Sequence, residues 1–157
     1  MNAKIAKLTD MTAHYESKHG QVLRSREELF MAFTDMRNFT RMIPEQAQAQ
    51  VSLDADFDNL WATVQNFKVG VKIDERLPYS VIRLISTDSP VEFVGALHFD
   101  QSPVPGRTEF YVVLDANLNM MMRAMLGRKI QEALDKLVQG LVDVSEGKMP
   151  DIPEGML

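Results

Sequence analysis

Between Val51 and Leu118 apolar and polar residues alternate in short runs, and beyond Asn119 the spacing changes to that of a helix. Two segments alternate most cleanly. In 91–100, Phe93, Gly95, Leu97 and Phe99 share one parity and Glu92, His98 and Asp100 the other. In 107–118, Phe110, Val112, Leu114, Ala116 and Leu118 oppose Arg107, Glu109, Asp115 and Asn117. Successive side chains of a strand point to opposite faces, so this phasing predicts an antiparallel sheet with one covered face. Strands are predicted at about 51–56, 59–65, 68–77, 79–87, 91–100 and 107–118, the last three boundaries marked by Pro78, Asp88-Ser-Pro90 and Ser102-Pro-Val-Pro-Gly106. An earlier strand is predicted within 11–24. There His14, Glu16 and Lys18 share the wet parity, which leaves Tyr15, Ser17 and His19 facing inward.

Helical signals flank the strands. Ser25-Arg-Glu-Glu28 is a capping box, and the helix behind it places Leu29, Phe30 and Phe33 on one side. A second short turn from Arg37 to Ile43 offers Phe39, Met42 and Ile43 before Pro44 stops it, and polar residues 45–50 read as a loop. The final helix is predicted from about Met120 to Val144, with Asn119 as N-cap. Its apolar stripe is Met122, Met125, Leu126, Ile130, Ala133, Leu134, Leu137, Val138 and Leu141, with Arg128, Gln131, Glu132, Asp135, Lys136 and Gln139 on the wet side. At roughly 37 Å it can cross the width of a small sheet.

The expected organisation is a leader at 1–10, a single domain at 11–144 and a tail at 145–157. The 157 residues suit one domain, and the net charge of −5 argues against nucleic acid or an anionic membrane as the main partner, leaving room for local basic patches. The chain has no cysteine, so no disulfide, thiolate metal site or thiol nucleophile is expected. Lys4 and Lys7 precede no apolar run, so the start is not read as a secretory signal. No window approaches the ~18 apolar residues of a membrane span. A cytoplasmic protein without stable membrane insertion is the default expectation. Oligomeric state is not legible.

Candidate chemistry is sparse. Met120, Met121, Met122 and Met125 crowd the start of the final helix, and methionine is the side chain best suited to an apolar wall of irregular shape. Met122, Met125 and Leu126 are the expected wall, with Met120 and Met121 nearer an entrance. Tyr15 and His19 could orient a ligand, although His19 beside Gly20 is placed where strand parity slips. No metal is expected: His14 and His19 lie an odd number of residues apart and so oppose each other, and His98 has the outer parity of its strand. No nucleophile elbow or phosphate-cradling glycine motif occurs, and no cofactor is implied. Glu75 shares the parity of Val69, Val71 and Ile73, but its place near a strand end favours exposure.

Tyr15-Glu-Ser-Lys18, Ser25-Arg-Glu-Glu-Leu-Phe30, Asp35-Met-Arg-Asn-Phe39 with Ile43-Pro44, Lys68-Val-Gly-Val-Lys-Ile73 with Pro78-Tyr79, and Ala116-Asn-Leu-Asn-Met120 occur in an order that resembles the START/Bet v 1-like (SRPBCC) superfamily. The resemblance covers about residues 11–144, and the chain is similar to short bacterial members of unassigned function. It implies an α+β helix-grip fold, with a seven-stranded antiparallel sheet wrapped on the C-terminal helix and two short helices after the first strand. It also implies a cavity between sheet and helix for a small hydrophobic or amphipathic ligand, and it transfers no catalytic residue, because the superfamily shares no catalytic motif.

The leading expectation is a non-catalytic binder of a lipid, isoprenoid or polyketide-like molecule. Its candidate contacts are Tyr15, His19, Trp61, Phe93, Leu97, Phe110, Val112, Met122, Met125 and Leu126. Trp61 is included although its parity groups it with Asn59, Thr63 and Gln65. One alternative is a cyclase- or dehydratase-type enzyme, which requires polar groups among Tyr15, His19 and Glu75 to converge on one cavity. Another is an interaction module docking a partner on the outer sheet face near His98, Tyr111 and Val113.

Overall fold

The computed structural model of the chain describes residues 13–41, 51–64 and 66–148. Its strands are β1 (Ala13–Glu16), β2 (Gly20–Val22), β3 (Val51–Ala55), β4 (Asn59–Val64), β5 (Phe67–Leu77), β6 (Val81–Thr87), β7 (Phe93–Gln101) and β8 (Thr108–Ala116). Helix α1 spans Arg26–Phe33, a 3-10 turn spans Met36–Arg41, and helix α2 spans Met120–Ser145. The sheet is antiparallel throughout, in the order β1-β8-β7-β6-β5-β4-β3, with β2 also paired to β8. This is the expected α+β helix-grip architecture. The predicted leader, Met42, Ile43, the 45–50 loop and the tail beyond Lys148 lie outside the described residues.

The first predicted strand is two strands, because Ser17–His19 forms a bulge. From Glu16↔Val113 to Gly20↔Phe110 the edge strand takes four steps (16 to 20) and its partner three (113 to 110). The Ser17 hydroxyl holds the break together by accepting the Val112 N–H at 2.8 Å and donating to the Lys18 carbonyl at 2.8 Å. One extra residue reverses the parity of everything after it. Tyr15 therefore faces α2, as expected, whereas His19 faces the opposite, convex side.

A second bulge does the same in β5, where Ile73 pairs with Leu84 but Glu75 with Arg83. The shift turns Glu75 out to an ion pair with Arg83 at 3.0 Å and places Arg76 on the concave side, opposite Ile82. Arg76 donates to the Thr34 carbonyl at 2.8 Å and to its hydroxyl at 2.7 Å, pairs with Asp58 at 2.8 Å, and lies 4.4 Å over the Phe57 ring. Thr34 is the C-cap of α1, so one cation stabilises an unpaired helix end and ties it to the β3–β4 turn. At the other end of α1 the capping box forms: the Ser25 hydroxyl accepts the Glu28 N–H at 3.1 Å and donates to the Glu28 carboxylate at 3.2 Å.

Helix α2 starts at its predicted cap, where the Asn119 side chain accepts the Met122 N–H at 2.8 Å. Its backbone lies closest to β1, β2 and β8, and Val138 joins the core cluster that holds Ile73, Ile82 and Leu97. The approach is closest at Gly20, where a Cβ would stand 2.6 Å from Val138 and 2.7 Å from Val142. Polar ties line the same edge. Asp135 accepts the Lys18 N–H at 2.6 Å, Gln131 donates to the Glu16 carbonyl at 2.8 Å, and the Ser145 hydroxyl accepts the Leu23 N–H at 3.0 Å. Beneath α1 and the C-terminal half of α2 sits the main core, built on the rings of Phe30, Phe33, Phe99 and Phe110 with Val22, Leu97, Val112 and Val138. A smaller cluster of Ala13, Ala116 and Leu118 lies under the start of α2.

Replacing Gly20 with Ala puts a methyl group into that contact, and overpacking of this kind costs about 1–3 kcal/mol. Urea unfolding of Gly20→Ala is expected to show that loss, and an unchanged stability would contradict the close seating of α2.

Candidate ligand-binding trough

The pairing registers sort every described strand residue onto one of two faces. On the concave side lie Leu53, Ala55, Leu60, Ala62, Val69, Val71, Leu84, Ser86, Phe93 and Leu114, and all except Ser86 are apolar. Because α2 covers the β1/β2/β8 side and α1 closes one end over β6 and β7, these apolar residues are half-buried rather than sealed. Met122, Leu126, Ile130 and Leu134 of α2 are half-buried beside them. These partly buried apolar side chains, packed beside the core, outline a candidate apolar-walled trough between sheet and helix.

Polar groups in it are few. Ser86 is buried and its hydroxyl accepts the Phe93 N–H at 3.0 Å. Tyr15 reaches beneath α2, and its hydroxyl lies 3.1 Å from where a Cβ on Gly127 would stand, so the bare glycine makes room for the ring. Apolar walls with a few orienting polar groups are the usual make-up of a small-molecule site.

The expected contact residues divide into three groups. Tyr15, Phe93, Met122 and Leu126 are half-buried and border the trough. Leu97 (3% exposed), Phe110 (0%) and Val112 (7%) have the expected orientation but are packed into the core. Met125, His19 and Trp61 are corrections. Met125 points outward from α2 at 65% exposure, His19 is reversed by the Ser17 bulge, and Trp61, paired with Asp54 and Gly70, stands on the convex face. Leu60, Val71, Leu84, Leu114 and Ile130 were not among the expected contacts. Their strand parity and helix spacing were legible, but their exposure depends on where α2 stops covering the sheet.

The convergence required for a cyclase-type centre does not form, since Tyr15 faces the trough while His19 and Glu75 stand on the convex side. The convex face instead carries a ring stack. His19 lies 3.8 Å from Tyr111 at 2°, and His98 lies 4.6 Å from Tyr111 at 1°. His19 bonds Glu16 at 2.8 Å and Glu109 at 3.1 Å, and His14 bonds Asp115 at 2.7 Å. His14 and His19 therefore share a face, contrary to the parity argument, again because of the bulge. Among the described residues no three His, Asp or Glu side chains group to hold a metal ion.

The electrostatics of the stack follow from its partners. Partial burial opposes a charge on His19, but the hydrogen bonds and charges of Glu16 and Glu109 outweigh it and raise its pKa. The hydrogen bond from His19, with one from Gln21, lowers that of Glu109. Burial lowers the pKa of His98, and burial with the nearby Asp100 pushes the Tyr111 phenol up to about 12.

Two clefts open elsewhere. One of about 240 Å³ lies on the convex face, with Ile85, Val94, Ala96 and Val113 as floor and Asp74, Arg83, His98 and Asp115 around them. The other, a broad opening of about 740 Å³, flanks the start of α1. The arginines lining the latter are engaged within the fold: Arg26 with the Phe99 carbonyl, Arg107 with the Gln21 carbonyl and Glu146, and Arg24 with the Ser145 carbonyl.

No protein-family model matches the chain, and no curated protein sequence matches it significantly. Solved structures do. A putative uncharacterized protein from Bacillus thuringiensis superposes with a TM-score of 0.63 at 8% identity, over 85% of this chain and 99% of that one. A protein from Thermus thermophilus gives 0.58 at 14% identity, over 86% and 98%. Norcoclaurine synthase from Thalictrum flavum, a Bet v 1-fold protein solved as a point mutant with a transition-state analogue, gives 0.56 at 11% identity, over 82% and 94%. At these identities the likeness establishes the helix-grip fold and no particular ligand. Among the described residues no helix is long and apolar enough to cross a membrane.

The His19 cluster sets a pH test. A raised folded-state pKa stabilises the protein fully below the ordinary histidine value of about 6.5, and the effect fades as pH rises through the folded value. Urea unfolding of wild type and His19→Gln is expected to differ most at about pH 5.5 and to converge in mild alkali. A gap that widens toward alkaline pH would contradict the ion-paired imidazolium.

Proposed function

We propose that this protein binds a small hydrophobic or amphipathic molecule, of lipid, isoprenoid or polyketide-like character, in the trough between the sheet and α2. One observation carries the reading: a set of concave apolar side chains, from Leu60 and Val71 through Leu84 to Phe93 and Leu114, is only partly buried. Apolar surface of this kind, concave and partly exposed, marks binding grooves more often than inert exterior. Covering about 200 Å² of it contributes about 5 kcal/mol at 25 cal/mol per Å², enough to support useful affinity without any strong polar anchor. Norcoclaurine synthase, which shares the fold, was solved with a small molecule, a transition-state analogue, bound, which supports a small-molecule site on this architecture without indicating its chemistry. Among the described residues Tyr15 and Ser86 are the polar groups placed at the trough, which supports binding as the simpler reading.

The interaction-module reading keeps one specific support, the apolar-floored cleft on the convex face. Neighbouring residues of β6 separate the two. Titration with a fluorescent fatty-acid analogue is expected to saturate, and Leu84→Arg to weaken binding at least about tenfold, because a cation is forced into the apolar groove. Ile85→Arg, one residue along and on the other face, is expected to leave binding unchanged. Circular dichroism checks that both variants fold. No saturable binding, or equal loss in both folded variants, would overturn the proposal.

A further inference from the structure

We infer that the outer face of the first three turns of α2 is a docking surface for an anionic lipid bilayer. Met120, Met121 and Met125 are 86%, 72% and 65% exposed, on a helix whose other apolar residues mostly turn toward the sheet. Residues 119–131 contain Arg123, Arg128 and Lys129 and no Asp or Glu, in a chain whose net charge is −5. The charge thus reverses locally where the apolar exposure is greatest. Arg128 pairs with Glu132 at 3.3 Å in an exposed i,i+4 contact, the kind of weak pair that a lipid phosphate can replace. The Arg123 Nε donates to the Leu118 carbonyl at 2.9 Å, which steadies the first turn.

The patch is continuous with the trough. On a helix, residues three and four apart are surface neighbours. Met122 and Leu126 flank the trough, Met125 is three residues from Met122, and Met121 is four from Met125. An unbroken apolar strip therefore runs from the trough's lip over the helix to its outer face, with Arg128 and Lys129 beside it. Exposed methionines flanked by cations suit the interface of an acidic bilayer, where apolar side chains enter the headgroup boundary and cations meet the phosphates. An amphiphile leaving that bilayer would meet the trough without crossing a polar surface. This route rests on the binding reading above, whereas the docking itself does not.

The test is sedimentation with phosphatidylcholine vesicles, with and without phosphatidylglycerol at about 30 mol%, at low and high salt. The wild type is expected to bind the phosphatidylglycerol vesicles, and salt to release it. Met121→Ser with Met125→Ser, and separately Arg128→Glu with Lys129→Glu, are each expected to reduce bound protein about tenfold or more. Both double variants are expected to keep their affinity for the fluorescent fatty acid, because none of the four residues lines the trough. Absence of vesicle binding by the wild type, or binding unaffected by either double variant, would overturn the inference. So would a wild-type dimer in sedimentation velocity that the methionine variant dissolves, since a second copy would then be the occupant. Vesicle binding without fatty-acid binding would remove the trough reading and leave the docking surface standing.

Discussion

The seating of α2 on the sheet edge decides the shape of everything else. Gly20 has no side chain, and its backbone comes so near Val138 and Val142 that the helix lies against β2 rather than being held off. Lys18, Glu16 and Leu23 then fix the helix along that edge through backbone bonds to Asp135, Gln131 and Ser145. So seated, the helix backbone is nearest β1, β2 and β8, and it reaches the other strands only through side chains such as Val138. The half-burial of Leu60, Val71 and Leu84 follows from that placement, not from any weakness in those strands.

Two bulges then decide which polar side chains face the interior. Without the extra residue at Ser17–His19, His19 would carry its ring and the carboxylates it attracts onto the concave face. Without the slip between Ile73 and Glu75, an acidic side chain would point beneath α1 and Arg76 could not reach the end of that helix. Each bulge removes a polar side chain from the concave side, and each gives it a partner elsewhere: Glu16 and Glu109 for His19, Arg83 for Glu75. The Ser17 hydroxyl, by taking the Val112 N–H, prevents the first bulge from leaving a buried donor unpaired.

Much of this was legible in the sequence, for identifiable reasons. The phasing of 91–100 and 107–118 predicted which residues of β7 and β8 face inward, and Ser25 and Asn119 marked both helix starts. What failed was parity carried across a bulge, because a bulge obeys hydrogen bonding that no two-residue period records. His19 was affected in this way, with His14 misread relative to it. Met125 failed for a different reason: its helical spacing fits the apolar stripe, but whether that edge meets sheet or solvent depends on the helix's lateral position. Leu97, Phe110 and Val112 show a third limit, since inward orientation does not distinguish a packed core from an open wall. The helix-grip fold itself is shared with the solved neighbours.

The proposed apolar ligand would sit in the concave trough, away from the convex face and the packed core. Methyl NMR of the leucine- and valine-labelled protein, titrated with a medium-chain fatty acid, tests it most directly. The account predicts shifts at Leu60, Val71, Leu84, Leu114 and Leu126, with the convex Val94 and Val113 and the core Leu97 and Val112 unmoved. Shifts centred on the convex methyls, or no saturable shift at any methyl, would contradict it.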